Sequence, residues 1–233
     1  MTPGTLYVVA TPIGNLEDIT LRALRVLKEV GLVACEDTRR TRTLLTHFGI
    51  HVPVTSYFEH NKLAKGPVIL KTLREGKSVA LVTDAGTPGI SDPGFLLVRE
   101  AREAGIPVVP VPGPSAVVAA LSAAGIPADS FVFDGFLPVK PGKRIHRIEA
   151  LRDLEMTLVC YESPHRILAA LEAIGHVFGQ VEIVVARELT KQFEEIVRGT
   201  PEALRARFAT GTVRGEFTVV IPYTKGPCPS PRP

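Results

Sequence analysis

SVALVTDAGTPGISDPG, residues 78–94, is an unbroken apolar run that empties into a loop dense in glycine and proline. The run SVALVT (Ser78–Thr83) has no polar alternation, so it reads as a strand of a parallel sheet covered on its faces. The loop DAGTPGISDPG (Asp84–Gly94) follows at the carboxyl end of that strand. Glycine permits positive φ and close backbone approach, and proline freezes the remainder. Such a loop is stiff and exposes main-chain donors and acceptors. In open parallel sheets, ligands sit beyond the carboxyl ends of the strands.

On either side of this stretch, short apolar runs alternate with helical windows. LYVVA (Leu6–Ala10), LVAC (Leu32–Cys35), Val54–Tyr57 and PVVPV (Pro107–Val111) read as strands. Leu21, Leu24, Leu27 and Val30 follow helical spacing; RRTRTLLTHF, Leu63–Arg74 and Phe95–Glu103 are further helices. This alternation predicts an α/β fold with a mostly parallel sheet. After Val111 the texture changes to PGPSAVVAALSAAGIP, a turn and a small-residue helix over Ser115–Ala124. Strands are then expected at Phe131–Phe136, Thr157–Glu162, Val181–Glu188 and Glu216–Pro222, with helices at Arg144–Asp153, Pro164–Ile174 and Pro201–Ala209. The expectation is two α/β domains, residues 1–113 and 114–224, the second with a mixed sheet, and a flexible tail over 225–233.

The chain has 233 residues, enough for one large core or two smaller ones. Its three cysteines, Cys35, Cys160 and Cys228, are widely spaced with no CxxC, which argues against a disulfide framework or a zinc knuckle. No metal is expected. No apolar run reaches membrane-spanning length, and MTPGTLYVVATPIG lacks the features of a signal peptide, so the cytoplasm is the expected compartment. The net charge of +3 permits an anionic partner without demanding one.

Three Gly/Pro-rich loops follow predicted strands: ATPIGNLEDIT (Ala10–Thr20), DAGTPGISDPG and VPGPSA (Val111–Ala116). Each alone could be a tight turn. Three at corresponding strand ends favour a binding site. No GxGxxG follows the first strand, which argues against a dinucleotide cradle. Gly76–Lys77–Ser78 imitates the end of a phosphate-binding loop, but Lys71 stands where that motif needs glycine, and the triplet precedes its strand. An adenosine-containing ligand with a carboxylate and no phosphate fits better, its carboxylate held at the start of the Ser115 helix. The residues alone take the ligand no further.

VVATPIGNLEDITLRALRVL, ACEDTRRTRTLL, DAGTPGISDPG, PGPSA, YESPHR and ARELTK, in this order, resemble the ribosomal RNA small subunit methyltransferase I family of the tetrapyrrole methylase superfamily. The resemblance covers about Thr5 to Pro222. It implies S-adenosylmethionine as methyl donor, 2′-O-methylation of a cytidine in the decoding region of small-subunit ribosomal RNA, two domains with the cofactor in the cleft between them, and a homodimer. It assigns cofactor contacts to Pro12, Asp84, Gly89, Ile90, Ser91, Ser115, Ala116, Tyr161, Ala186 and Gly215. Where the superfamily often shows GDP, this chain has Gly86–Thr87–Pro88. The competing substrates are a tetrapyrrole or a diphthine-type protein target within the same superfamily. A ribosome-assembly protein that binds RNA without catalysis is the alternative from another class. DNA and membranes are not expected partners.

Methyl transfer from a sulfonium to a ribose hydroxyl is an in-line displacement that gains from orientation and from a general base. Glu36 and Asp37, after the second strand, are candidates for base or positioner, although Asp37 is also placed to cap the next helix. Lys191 in RELTK is a candidate assistant. It acts as a base only with a lowered pKa, or as a cation toward phosphate or developing oxyanion. Glu162 and Glu188 are candidates for ordering the wall of the second domain. RNA contact is expected from Arg39, Arg40 and Arg42, and from Lys140, Lys143, Arg144, His146 and Arg147. His165 reads as a capping or packing residue.

Overall fold

The computed structural model describes residues 2–92 and 94–223. The tail expected over 225–233, with Cys228, lies outside the described residues. The chain divides into two compact units between Ser115 and Ala116.

In the first unit, β1 (Leu6–Val9), β2 (Leu32–Cys35), β3 (Val54–Ser56), β4 (Val79–Leu81) and β5 (Val108–Val111) form one sheet in the order β3-β2-β4-β1-β5. Every pairing is parallel. α1 (Leu21–Glu29) and α2 (Thr38–His47) cover one face, around Val26, Leu27, Val33 and Ala80. α3 (Lys62–Arg74) and α4 (Phe95–Glu103) cover the other, around Ile69, Leu73, Val79 and Leu97. Alternate residues of β4 therefore feed opposite cores, which is why SVALVT shows no polar alternation. Right-handed crossovers require this arrangement. From β1 the chain moves past β4 to β2, and from β4 it moves past β1 to β5. The loops after β1 and β4 thus diverge, and a topological switch point lies between them.

The buried stripe of α1 is Ala23, Val26 and Leu27, closed by Val30. Leu21, expected on that stripe, is 86% exposed. Thr20 caps the helix by accepting from the Ala23 amide at 3.1 Å, so Leu21 occupies the first helical position and points away from the sheet.

In the second unit, β6 (Phe131–Phe136), β7 (Thr157–Glu162), β8 (Ile183–Arg187), β9 (Glu195–Gly199) and β10 (Phe217–Ile221) form a sheet in the order β6-β7-β10-β8-β9. Only β6 and β7 are parallel, so the sheet is mixed. α6 (Pro141–Arg152), α7 (Ile167–Phe178) and α8 (Pro201–Ala209) bury one face around Leu158, Cys160, Val185, Phe217 and Val219. α5 (Ala116–Ala124) packs against β10. The apolar patterns do not predict β9. EIVRG is a short edge strand whose exposed positions are Ile196 and Arg198, so its polarity does not alternate, and this hides it beside an acidic stretch. Cys35 and Cys160 are free and buried, as expected of core residues. Among the described residues no helix is long and apolar enough to cross a membrane.

Candidate active site

The three Gly/Pro-rich loops of the first unit are stitched together by hydrogen bonds. Thr11 and Gly86 exchange backbone bonds in both directions, at 2.9 and 3.0 Å. The Thr11 hydroxyl donates to the Thr83 carbonyl at 3.0 Å, and the Ala10 amide donates to the Val111 carbonyl at 3.2 Å. The Thr87 hydroxyl reaches the Pro114 carbonyl at 3.5 Å. Gly86 adopts φ +83, where a side chain would be strained and would also meet Ile13. The loops after β1, β4 and β5 thereby become one surface at the carboxyl ends of the strands. Pro12 is buried in it, Ser115 is half-buried beside Pro114, and Ile90 and Ser91 lie exposed on the long loop. Ser91 itself sits at φ +56.

Asp92 holds that long loop in shape. One oxygen, Oδ1, accepts from the Gly89 amide at 3.0 Å and from the Gly94 amide at 2.7 Å. Thr11 and Asp92 lie within the Gly/Pro-rich loops and Thr83 ends the SVALVT run, but pattern alone does not single them out, because their roles lie in contacts across the sheet edge or within an irregular turn.

Glu36 and Asp84 follow the neighbouring strands β2 and β4, so the topology brings them together. Asp84 Oδ1 accepts from the Asp37 amide at 3.1 Å, and its Oδ2 lies 3.4 Å from Arg40. Glu36 is solvent-accessible, as a base meeting an incoming hydroxyl must be. Partial burial of its carboxyl raises its pKa, and the negative charges of Asp84 and Asp92 raise it further; Thr83 and Arg40 act in the opposite sense.

Asp37 has a different environment. It is the N-cap of α2, accepting from the Arg39 amide at 2.7 Å, and it also pairs with the Arg39 guanidinium at 2.9 Å. The Arg39 side chain, and then its amide, hold the carboxyl at about 2. So firmly ionised a group is a weak proton acceptor. Asp37 thus serves as the α2 cap, and Glu36 is the more accessible of the two candidate carboxylates.

In the second unit, strand register places Tyr161 beside Thr218 and Thr218 beside Ala186, in one row across β7, β10 and β8. Thr218 is 4% exposed, a buried hydroxyl between two candidate cofactor residues. Its signal in the sequence is a lone polar residue inside FTVVI. Tyr161 packs edge-on against Phe133 and Phe136, with ring centroids 4.8 and 5.8 Å away. Burial raises its pKa. Gly215 lies at φ +93, and a Cβ there would fall 2.5 Å from Glu188 Cγ. Glycine is required at that position for the passage of Glu188.

Lys191 is held as a cation. Its Nζ is 2.8 Å from Glu188 Oε1 and 2.9 Å from Glu216 Oε2. Burial favours the neutral amine, but the two carboxylates outweigh it and the pKa is raised. This overturns the reading of Lys191 as a base with lowered pKa.

The basic groups also sort by partner. Arg39 and Arg40 are engaged by Asp37 and Asp84 yet remain largely exposed, and Arg42 is exposed. Lys140 and Lys143 are exposed, and Arg147 grips Asp134. Arg144 corrects the expectation of RNA contact. It is 5% exposed and donates inward, from Nε to the Pro138 carbonyl at 3.0 Å and from Nη2 to the Val139 carbonyl at 2.9 Å. His165 is exposed, just before α7. Among the described residues no three His, Cys, Asp or Glu side chains gather as a metal site.

Comparison with known proteins fits this architecture. The family model described as tetrapyrrole (corrin/porphyrin) methylases matches residues 5–205. A Pseudomonas aeruginosa protein named ribosomal RNA small subunit methyltransferase I is 55% identical over 97% of this chain and 82% of its own length. A Mesorhizobium japonicum protein of the same name is 52% identical over 93% of this chain and 74% of its own. Among solved structures, a cobalt-precorrin-4 methyltransferase superposes with TM-score 0.71 at 21% identity, covering 94% of this chain and 95% of that one. A diphthine synthase superposes with TM-score 0.73 at 18% identity, covering 95% and 91%. The structural likenesses show the fold, and the sequence matches carry the family: this chain belongs to the ribosomal RNA small subunit methyltransferase I family of the tetrapyrrole methylases.

Proposed function

We propose that this protein uses S-adenosylmethionine to methylate the ribose 2′-oxygen of a cytidine in the decoding region of small-subunit ribosomal RNA. We infer further that it acts in the cytoplasm as a homodimer. The observation that carries the reading is identity above 50%, over nearly the whole chain, to proteins bearing the ribosomal name.

The residues present suit that cofactor. Glu36, Asp84 and Asp92 gather negative charge at the strand edge. That disfavours a polyphosphate and favours a sulfonium or an amine. Pro12, Asp84, Gly89, Ile90, Ser91 and Ser115 from the first unit, and Ala116, Tyr161, Ala186 and Gly215 from the second, are the residues assigned to holding it; Gly215 does so through its backbone. When bound, S-adenosylmethionine supplies an electrophilic methyl group.

Glu36 then accepts the proton of the 2′-hydroxyl as that oxygen becomes a nucleophile. Its raised pKa makes it a stronger proton acceptor than an ordinary glutamate. Asp84 orders the start of α2 through the Asp37 amide and so fixes where Glu36 projects. The Lys191 ammonium, steadied by Glu188 and Glu216, stabilises negative charge on substrate oxygens. Arg39, Arg40, Arg42, Lys140, Lys143 and Arg147 meet RNA phosphates. Transfer of labelled methyl from S-adenosylmethionine to small ribosomal subunits, with the label recovered in an alkali-resistant dinucleotide, is the expected result. Label on a porphyrinoid or a protein, and none on RNA, overturns the reading.

A further inference from the structure

The chain FLPVKPGK, Phe136–Lys143, leaves β6 and enters α6. Three successive carbonyls of it are taken by two arginines from different helical segments. Arg166 Nη2 donates to the Leu137 carbonyl, and Arg144 donates to those of Pro138 and Val139. Beneath them lies Glu162, 1% exposed. It accepts from the Ser163 amide at 2.8 Å, and Arg166 Nη2 stands 3.2 Å from its other oxygen. Burying the Arg144 guanidinium and the Glu162 carboxylate, with Arg166 half-buried beside them, is costly, and equal space filled by apolar side chains is commonly as stable or more so. What the clamp supplies is position: the carbonyls point inward, and the opposite side of the segment is presented outward.

That outward side carries an aromatic ring and cations. Phe136, the last residue of β6, is 53% exposed while the next residue, Leu137, is buried, and the Phe136 ring packs edge-on against Tyr161. Val139 is 70% exposed, and Lys140 and Lys143 are exposed beside it. Of the next basic groups along α6, Arg147 is offset by Asp134, while Lys140 and Lys143 have no carboxylate within ion-pair distance among the described residues. An exposed aromatic face beside uncompensated lysines, on a rigid support, matches the requirements for binding single-stranded nucleic acid. Bases stack on the ring and the backbone follows the charge.

We propose that Phe136 is a stacking platform for an unpaired base of the RNA substrate, flanked by Lys140 and Lys143, with Arg144, Glu162 and Arg166 as its positioning residues. The proposal rests on RNA being the substrate. It assigns Arg144 a part in recognition without contact with RNA.

The test uses the full chain with S-adenosylmethionine and small ribosomal subunits. Wild type is compared with Phe136→Leu, Phe136→Tyr and Arg144→Lys. Phe136→Leu keeps the apolar volume against Tyr161 and removes the ring, and the KM for subunits rises about tenfold. Kd for S-adenosylmethionine stays within twofold, and the loss falls on KM more than on kcat. Phe136→Tyr restores KM to within about threefold, since every ring offers a π-face. Arg144→Lys keeps the charge but cannot hold two carbonyls at once, and it raises the same KM. If Arg144→Lys fails to fold, the Phe136 pair decides. An unchanged KM in Phe136→Leu overturns the proposal. So does a changed sedimentation coefficient with KM unaffected, which makes this face a contact between copies of the chain. If wild type itself transfers no methyl group to subunits or to their RNA, the functional reading fails first and this proposal falls with it.

Discussion

Glu36 and Asp37 are chemically similar neighbours with opposite prospects. Asp37 is tied to the α2 amide and to Arg39, and is fixed as an anion. The Glu36 carboxyl is partly buried and faces the charges of Asp84 and Asp92, so its proton is held more tightly than in an ordinary glutamate. Glu36→Gln is expected to lower the single-turnover methylation rate by about a hundredfold or more, with cofactor affinity retained. Cofactor binding by calorimetry and a rapid-quench assay separate the two quantities. The pH dependence follows from the sign of the shift. With Glu36 as the proposed base, the rate is expected to rise as it loses its proton, which places the acidic limb above the ordinary value of 4.5. Asp92→Asn preserves the oxygen that accepts from Gly89 and Gly94 but removes a negative charge. It is expected to move that limb to lower pH. A limb that stays in place in Asp92→Asn assigns the titration to another group.

The loop after β4 and the connection from β8 to β9 are elements whose shape depends on single atoms. A Cβ on Gly94 would fall 2.8 Å from Asp92 Oδ1 and 3.1 Å from the Gly89 amide. Gly94→Ala is therefore expected to displace the acceptor that closes the loop and to weaken S-adenosylmethionine binding by about tenfold, the cost of leaving loop amides unsatisfied. Equilibrium dialysis measures it. At Gly215 an added Cβ collides with Glu188, and the backbone sits at φ +93. Gly215→Ala is expected to destabilise the chain by about 1–3 kcal/mol in urea unfolding. In the same variant Lys191 loses its hold on Glu188. The strand that leads into the first of these loops was legible from its apolar run, and α4, which follows the loop, was legible over its observed span. β9 was not, since a five-residue edge strand with a charged residue near each end and no polar alternation has the composition of a surface loop.

For the molecule as a whole, a net charge of +3 conceals an uneven distribution. If α2 tracks the RNA backbone, neutralising Arg39, Arg40 and Arg42 flattens the dependence of log affinity on log salt by up to about 2, at about 0.7 for each single-strand phosphate that no longer meets a cation. Filter binding across a salt series reads this directly, and an unchanged slope removes α2 from the interface. The sequence by itself determined the α/β alternation, the parallel character of the first sheet, the three loops at its strand ends and the family. Those features are written in local periodicity, in turn residues and in ordered motifs, all of which act over a few residues. Only the tertiary structure decided which charges are spent on the fold and which are free. Arg144 turned inward to two carbonyls, Lys191 was claimed by a glutamate 25 residues away, and Asp84 reached an amide 47 residues away. A long polar side chain carries no periodic mark of its partner. That partner is set by strand order and register, which are properties of the assembled sheet.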